Sequence, residues 1–212
     1  MAMRQNEINR RFDQDHLTDT AAEISLVDAG VLAQDASRGN GVYRPLWESN
    51  FRKVLSSLPV HNGNFTFIDL GSGKGKLLLL ASHYRFRQIV GVEYAPRLHE
   101  IAERNVKIYD AAEIKCREFD LILGDALSFT LPPGPVLCVI FNSFDPETTK
   151  RVLANLNTDS NRNEPVYIAY GNIRTVSEMP SRVFEGFPNL QILRRTRNHL
   201  ILSNSAGKAA LA

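Results

Sequence analysis

Three carboxylates and three glycines carry the chemistry that can be read in this chain of 212 residues. Gly71, Gly73 and Gly75 alternate through GSGKG, directly after the apolar run FTFIDL. Glycines in such a turn supply positive φ or let a ligand approach bare backbone. Asp69 closes the apolar run, so its carboxylate belongs beside whatever the glycines hold. Glu93 comes roughly 20 residues after the first glycine, where an acidic side chain reaches ribose hydroxyls in nucleotide-binding α/β folds. Asp125, after Gly124, can accept from an exocyclic amino group; its competing role is that of a turn residue.

Phosphate ligands fit this pattern poorly. A Walker A loop requires GxxxxGK[ST], and here Gly75-Lys76 is followed by Leu77. A dinucleotide fingerprint, GxGxxG, wants its third glycine at position 76, which is Lys. An acid at position 69 suits a cationic ligand better than a pyrophosphate. His16, His61, His83, His99 and His199 offer no metal-ligand spacing, so no metal is expected.

The elements that must position these groups follow from periodicity. Residues 66–70 read as a strand, 71–75 as a tight turn, and the following apolar run as a helix to about 84. A second strand spans 88–93. Pro96 then opens a helix with Leu98, Ile101, Ala102, Val106 and Tyr109 on one face and Asn105 as its polar exception. Residues 119–123 form a third strand and 136–141 a fourth, apolar throughout as a buried central strand should be. Asp145-Pro146 starts a helix as N-cap and N1. A fifth strand covers 165–170, a short helix 176–184, and an antiparallel pair 190–197 and 200–203. Before the core, 45–58 reads as a helix with Trp47, Phe51, Val54, Leu55 and Leu58 on one stripe. Strands alternating with helices predict a mostly parallel sheet covered on both faces, with ligand at its carboxyl edge. The chain divides into an N-terminal arm or lid (1–44), one α/β domain (45–205) and a tail expected to fray (206–212).

Composition is ordinary for a globular protein, with 43% hydrophobic residues, 23% charged residues and a formal net charge of +2. That charge argues for neither nucleic acid nor membrane partners. No apolar run reaches the roughly 18 residues of a membrane span, and the polar N-terminus lacks a signal-peptide core, so a cytoplasmic protein is expected. Cys116 and Cys138 form no CxxC pair and read as buried thiols.

DLGSGKG, VGVEYAP and GDAL, in that order and each at a strand end, resemble the motifs of class I S-adenosylmethionine-dependent methyltransferases. The resemblance is closest over residues 66–141. It implies a three-layer αβα Rossmann-like seven-strand sheet, mostly parallel with an antiparallel C-terminal strand. It implies S-adenosyl-L-methionine as cofactor, held by Asp69, Gly71, Ser72, Gly73, Gly75, Glu93, Tyr94, Asp125 and Ala126. Tyr43, in GVYRP, resembles a tyrosine loop that folds over the cofactor in some seven-strand lysine methyltransferases; its competing role is a core tyrosine.

In such enzymes the residues after the fourth strand face the methyl acceptor. This chain has NSFD there, which lacks the NPPY-like tetrapeptide of base and glutamine amide methylases. Asn142 is a candidate to orient the acceptor and contact the cofactor. Asp145 is a candidate base, with helix N-cap the favoured role. Tyr170, Gly171 and Asn172 are candidates to line the acceptor pocket. Arg194, Arg195 and Arg197 read as a solvated face rather than an RNA patch. The acceptor is expected to be a protein amino group or a small molecule. Two alternatives stand beside this reading. One is a nicotinamide-dependent oxidoreductase, opposed by the early third glycine and the lack of a Tyr-x-x-x-Lys pair. The other is a non-catalytic module that binds S-adenosylmethionine.

Overall fold

The computed structural model describes residues 2–39, 41–45, 48–60, 63–141, 143–157, 162–171 and 180–210. The described residues of the N-terminal segment, expected as an arm or lid, are folded. Helix α1 (Ala2–His16) leads to two short antiparallel strands, β1 (Ile24–Ser25) and β2 (Val42–Tyr43), either side of α2 (Ala33–Ala36). Residues 2–16 have no clean apolar stripe, so periodicity missed the helix. Asp13 instead organises the turn that follows it. Its carboxylate accepts from Thr18 Oγ1 (2.8 Å), Thr20 N (2.8 Å), Thr20 Oγ1 (2.7 Å) and Ala21 N (2.7 Å). Phe12 stacks on Tyr109 at 5.9 Å and fixes α1 to the domain. Helix α3 (Glu48–Leu55) follows, buried through Phe51, Val54 and Leu55; Trp47 of the expected stripe lies outside the described residues.

The domain then runs β3 (Thr66–Leu70), α4 (Lys76–Ala81), β4 (Gln88–Glu93), α5 (Pro96–Ile108), β5 (Phe119–Leu123), β6 (Val136–Phe141), α6 (Pro146–Leu156), β7 (Val166–Gly171), β8 (Gln191–Arg195), β9 (His199–Ser203) and α7 (Ser205–Ala209). Its seven strands are ordered β5-β4-β3-β6-β7-β9-β8. The first five are parallel, whereas β9 pairs antiparallel with both β7 and β8. The last strand therefore inserts inside the sheet and leaves β8 at the edge. Burial explains the placement: HLILS is buried at every position, while QILRR is mostly exposed. Charged residues on an edge strand also discourage pairing with other chains.

Two apolar layers cover the sheet. Phe51, Val54, Leu77, Leu78 and Leu80 of α3 and α4 pack on one face, and Val152, Leu153 and Leu156 of α6 on the other. Cys116 and Cys138 are free, buried thiols. Among the described residues no helix is long and apolar enough to cross a membrane. Two expectations change. Residues 206–209, assigned to the tail, belong to helix α7, because Asn204 caps it through Gly207 N (2.9 Å) and Tyr167 Oη donates to Gly207 O (2.8 Å). Of the helix expected at 176–184, only a 3-10 turn at Ser181–Phe184 falls within the described residues.

Candidate functional site

Strand order reverses between β3 and β6, and the loops leaving these strands press together there. A Cβ added at Gly71 would lie 2.5 Å from Cβ of Ser143. The glycine turn is tied to the neighbouring strand, since Gly71 N and Ser72 N both donate to Val92 O (2.8 and 3.1 Å). Gly71, Gly73 and Gly75 all have positive φ. Gly73 is the most constrained: a Cβ there would lie 2.4 Å from the ring of Tyr43. The Tyr43 ring is held in turn, because its hydroxyl donates to Thr20 O at 2.8 Å. Burial pushes its phenol well above the ordinary value, so Tyr43 keeps its proton and serves as a wall rather than a base.

Above this turn opens a cleft with about 1000 Å³ of empty volume, including the part open to solvent. Tyr43, Asp69, Gly71, Ser72 and Gly73 line it, as do Glu93, Tyr94, Asp125 and Ala126. Gly75 does not. It starts α4 in the left-handed conformation and sits against Ala102 of α5, so its role is helix packing. Asn142 lies outside the described residues, and so does Asn172. Asp145 caps α6, accepting from Thr148 N at 2.6 Å; Thr148, not Asp145, lines the cleft. Asp145→Ala is expected to lower stability by about 1 kcal/mol and to leave ligand affinity at wild-type level, measured by thermal melts with and without ligand. At Gly171, adjacent to Phe141 of the cleft wall, a side chain would displace the Phe141 ring, against which its Cβ would clash.

The electrostatics centre on two buried acids. Asp69 is 3% exposed and Glu93 is 7% exposed. Burial, and then the charge of Glu93, push the Asp69 carboxyl up to about 8. Burial also raises Glu93, against the pull of the backbone amides that donate to it. Glu93 accepts from Gly73 N (2.7 Å) and Ala95 N (2.8 Å), one on each oxygen. It thus holds the glycine turn, and each oxygen keeps a second lone pair for a ligand.

The far wall comes from the N-terminal segment, through Leu26, Val31, Arg38, Val42 and Tyr43. Sequence reading missed the polar ties that hold it there. Lys74 Nζ meets Asp19 at 2.7 Å, with the lysine side chain 3% exposed. Asn105 Nδ2 donates to Lys74 O (2.8 Å) and Asp19 O (3.0 Å), and its Oδ1 accepts from Asp19 N (2.9 Å). Arg38 pairs with Asp125 at 2.8 Å. Only Asn105 left a signal, as a polar residue on an apolar helix face.

Comparison with known structures agrees with this fold. A magnesium protoporphyrin IX methyltransferase from Synechocystis, solved with bound S-adenosylmethionine, superposes with a TM-score of 0.52 at 13% identity over 74% of this chain and 77% of that one. An S-adenosylmethionine-dependent methyltransferase from Leishmania major gives 0.51 at 16% identity over 74% and 70%. A putative methyltransferase from Streptococcus mutans, in complex with S-adenosylhomocysteine, gives 0.50 at 10% identity over 74% and 97%. The chain has a methyltransferase-like Rossmann fold. The family model described as histone methylation protein DOT1 matches residues 23–121, which run from the N-terminal wall into β5. No curated protein matches the sequence.

Proposed function

We propose that this protein is an S-adenosylmethionine-dependent methyltransferase and that its acceptor is a protein amino group. The observation that carries the reading is the buried acid pair, Asp69 and Glu93, beneath a glycine turn of positive φ. Two adjacent buried carboxylates hold a proton that a cationic ligand would displace. S-adenosylmethionine would supply an electrophilic methyl group on a sulfonium, next to a cationic amino group. Asp69 balances that charge, Glu93 accepts from the ribose hydroxyls, Asp125 accepts from the adenine amino group, and Tyr43 bounds the methionine end. The chain's own contribution to transfer is positioning, which is the main lever for an in-line displacement. Asp145 serves as the cap of α6 and takes no part in the transfer.

A nicotinamide dinucleotide fits less well. The Gly73 amide that would cradle a pyrophosphate is occupied by Glu93, and a pyrophosphate would face both acids. The match to a model named for histone methylation supports a protein acceptor over a small molecule. Calorimetry with S-adenosylhomocysteine and with NAD tests the cofactor; binding of NAD alone would sink the proposal. Transfer of labelled methyl from S-adenosylmethionine to protein or to small molecules in a cell extract tests the acceptor. Glu93→Ala removes both the ribose acceptor and the tether on Gly73, so S-adenosylhomocysteine affinity should fall by about 1.5–3 kcal/mol. An unchanged dissociation constant would remove Glu93 from the ribose.

A further inference from the structure

Arg38 stands in the cleft with more polar capacity than the protein itself uses. It belongs to a 3-10 turn, Ser37–Gly39, after α2. Its backbone carbonyl accepts from Asp145 N at 3.0 Å, which fixes the turn to the start of α6. One terminal nitrogen donates to Asp125 Oδ2 at 2.8 Å, and the other lies 3.7 Å from Asp35. The guanidinium carbon is 5.8 Å from the centre of the Tyr94 ring. A guanidinium carries five N–H donors, so the terminal nitrogens keep N–H groups beyond these contacts, while Nε is buried and without a partner. The side chain lines the cleft and is 33% exposed, so the spare terminal N–H groups are open to a ligand acceptor.

Resting on the methyltransferase reading, we infer that Arg38 reads the nucleobase of the cofactor together with Asp125. Asp125 offers an acceptor and Arg38 a donor, held side by side by their ion pair. The Watson–Crick edge of adenine carries the complement, an amino N–H donor next to the N1 acceptor. Hypoxanthine inverts it, with a carbonyl oxygen in place of the amino group and a protonated N1. With Arg38 present, that carbonyl meets the Asp125 carboxylate and the N1 proton meets the guanidinium. With Arg38 absent, the same base can slide so that N1–H donates to Asp125. Arg38 is therefore what makes the acid selective rather than merely polar. The two side chains are 33% and 35% exposed, and a pair this open to solvent contributes little to folding, so its loss reads out in recognition.

The test compares S-adenosylhomocysteine with S-inosylhomocysteine by calorimetry on the full chain. Wild-type protein should prefer the adenosyl form by about tenfold or more, as expected of a site that leaves polar groups unpaired against the wrong ligand. Arg38→Ala should bring the ratio close to unity. Arg38→Lys keeps the charge beside Asp125 but not the planar fork; it should narrow the ratio while leaving the melting temperature unchanged, and it stands in for the alanine variant should that one fail to fold. Wild-type selectivity that persists in these variants overturns the inference alone. Wild-type protein that binds neither ligand overturns the functional reading and the inference with it.

Discussion

Gly73→Ala should cost the protein about 2–5 kcal/mol and abolish ligand binding in the cleft. Two effects add. The residue has φ +56, a left-handed conformation that costs an alanine about 1–2 kcal/mol. Its Cβ would also fall 2.4 Å from the Tyr43 ring, and overpacking of this kind costs about 1–3 kcal/mol. The ring cannot swing aside freely, because its hydroxyl is bonded to Thr20 O and Lys74 Nζ lies 5.6 Å from its centre. Moving the ring or the turn also pulls Gly73 N off Glu93. For a chain of this size each kcal/mol shifts the melting temperature by about 2–4 °C, so a drop of roughly 4–20 °C is expected.

A double-mutant cycle separates the two causes. Tyr43→Ala removes the obstacle, so Gly73→Ala in that background should cost only the backbone contribution. Coupling of about 1 kcal/mol or more between positions 43 and 73 is the expected result. Additive effects would show that the ring and the turn do not touch, and would remove Tyr43 as a wall of the cleft.

What the sequence made legible was whatever lies near a strand end in its own segment. Asp69, the glycine turn, Glu93 and Asp125 each follow an apolar run, and the run fixes where the chain must surface. Their convergence needs only a parallel sheet, which strand–helix alternation supplies. Gly75 could not be told from its neighbours, because a glycine that packs against Ala102 and one that faces a cleft look alike in GSGKG. The two letters Asp-Pro suit both a cap and a base at Asp145, and the residue caps α6. The N-terminal wall was the least legible part. Its ties, Lys74 with Asp19, Arg38 with Asp125 and Asn105 with both Asp19 and Lys74, join residues far apart in sequence and impose no period on it. The order of β8 and β9 was hidden for a similar reason: an antiparallel pair can sit in a sheet either way round, and only their unequal burial decides.

Asp69 should give the ligand-free protein a stability that falls as pH rises. Its carboxyl titrates near 8 in the folded chain and near 3.9 when unfolded. Between those values the folded state binds the extra proton, so raising the pH favours unfolding. The stabilisation is fully present below about pH 4 and is lost as pH approaches 8. Glu93, raised by the same burial, adds to the slope in the same sense. Melting temperatures measured from pH 5 to 8 should decline in wild-type protein and decline less in Asp69→Asn, the difference isolating this group from all other titrations. The ligand should reverse the preference, because a cation beside Asp69 favours the ionised acid. S-adenosylhomocysteine keeps the amino cation but lacks the sulfonium, so S-adenosylmethionine should release more protons on binding at pH 7. Calorimetry in buffers of different ionisation enthalpy counts those protons. In Asp69→Asn the release should disappear and affinity should fall by roughly ten- to a hundredfold, the loss of one charge-assisted interaction. Equal proton release from wild-type and variant would show that Asp69 stays protonated with ligand bound, and would take away the electrostatic ground for a cationic cofactor in this cleft.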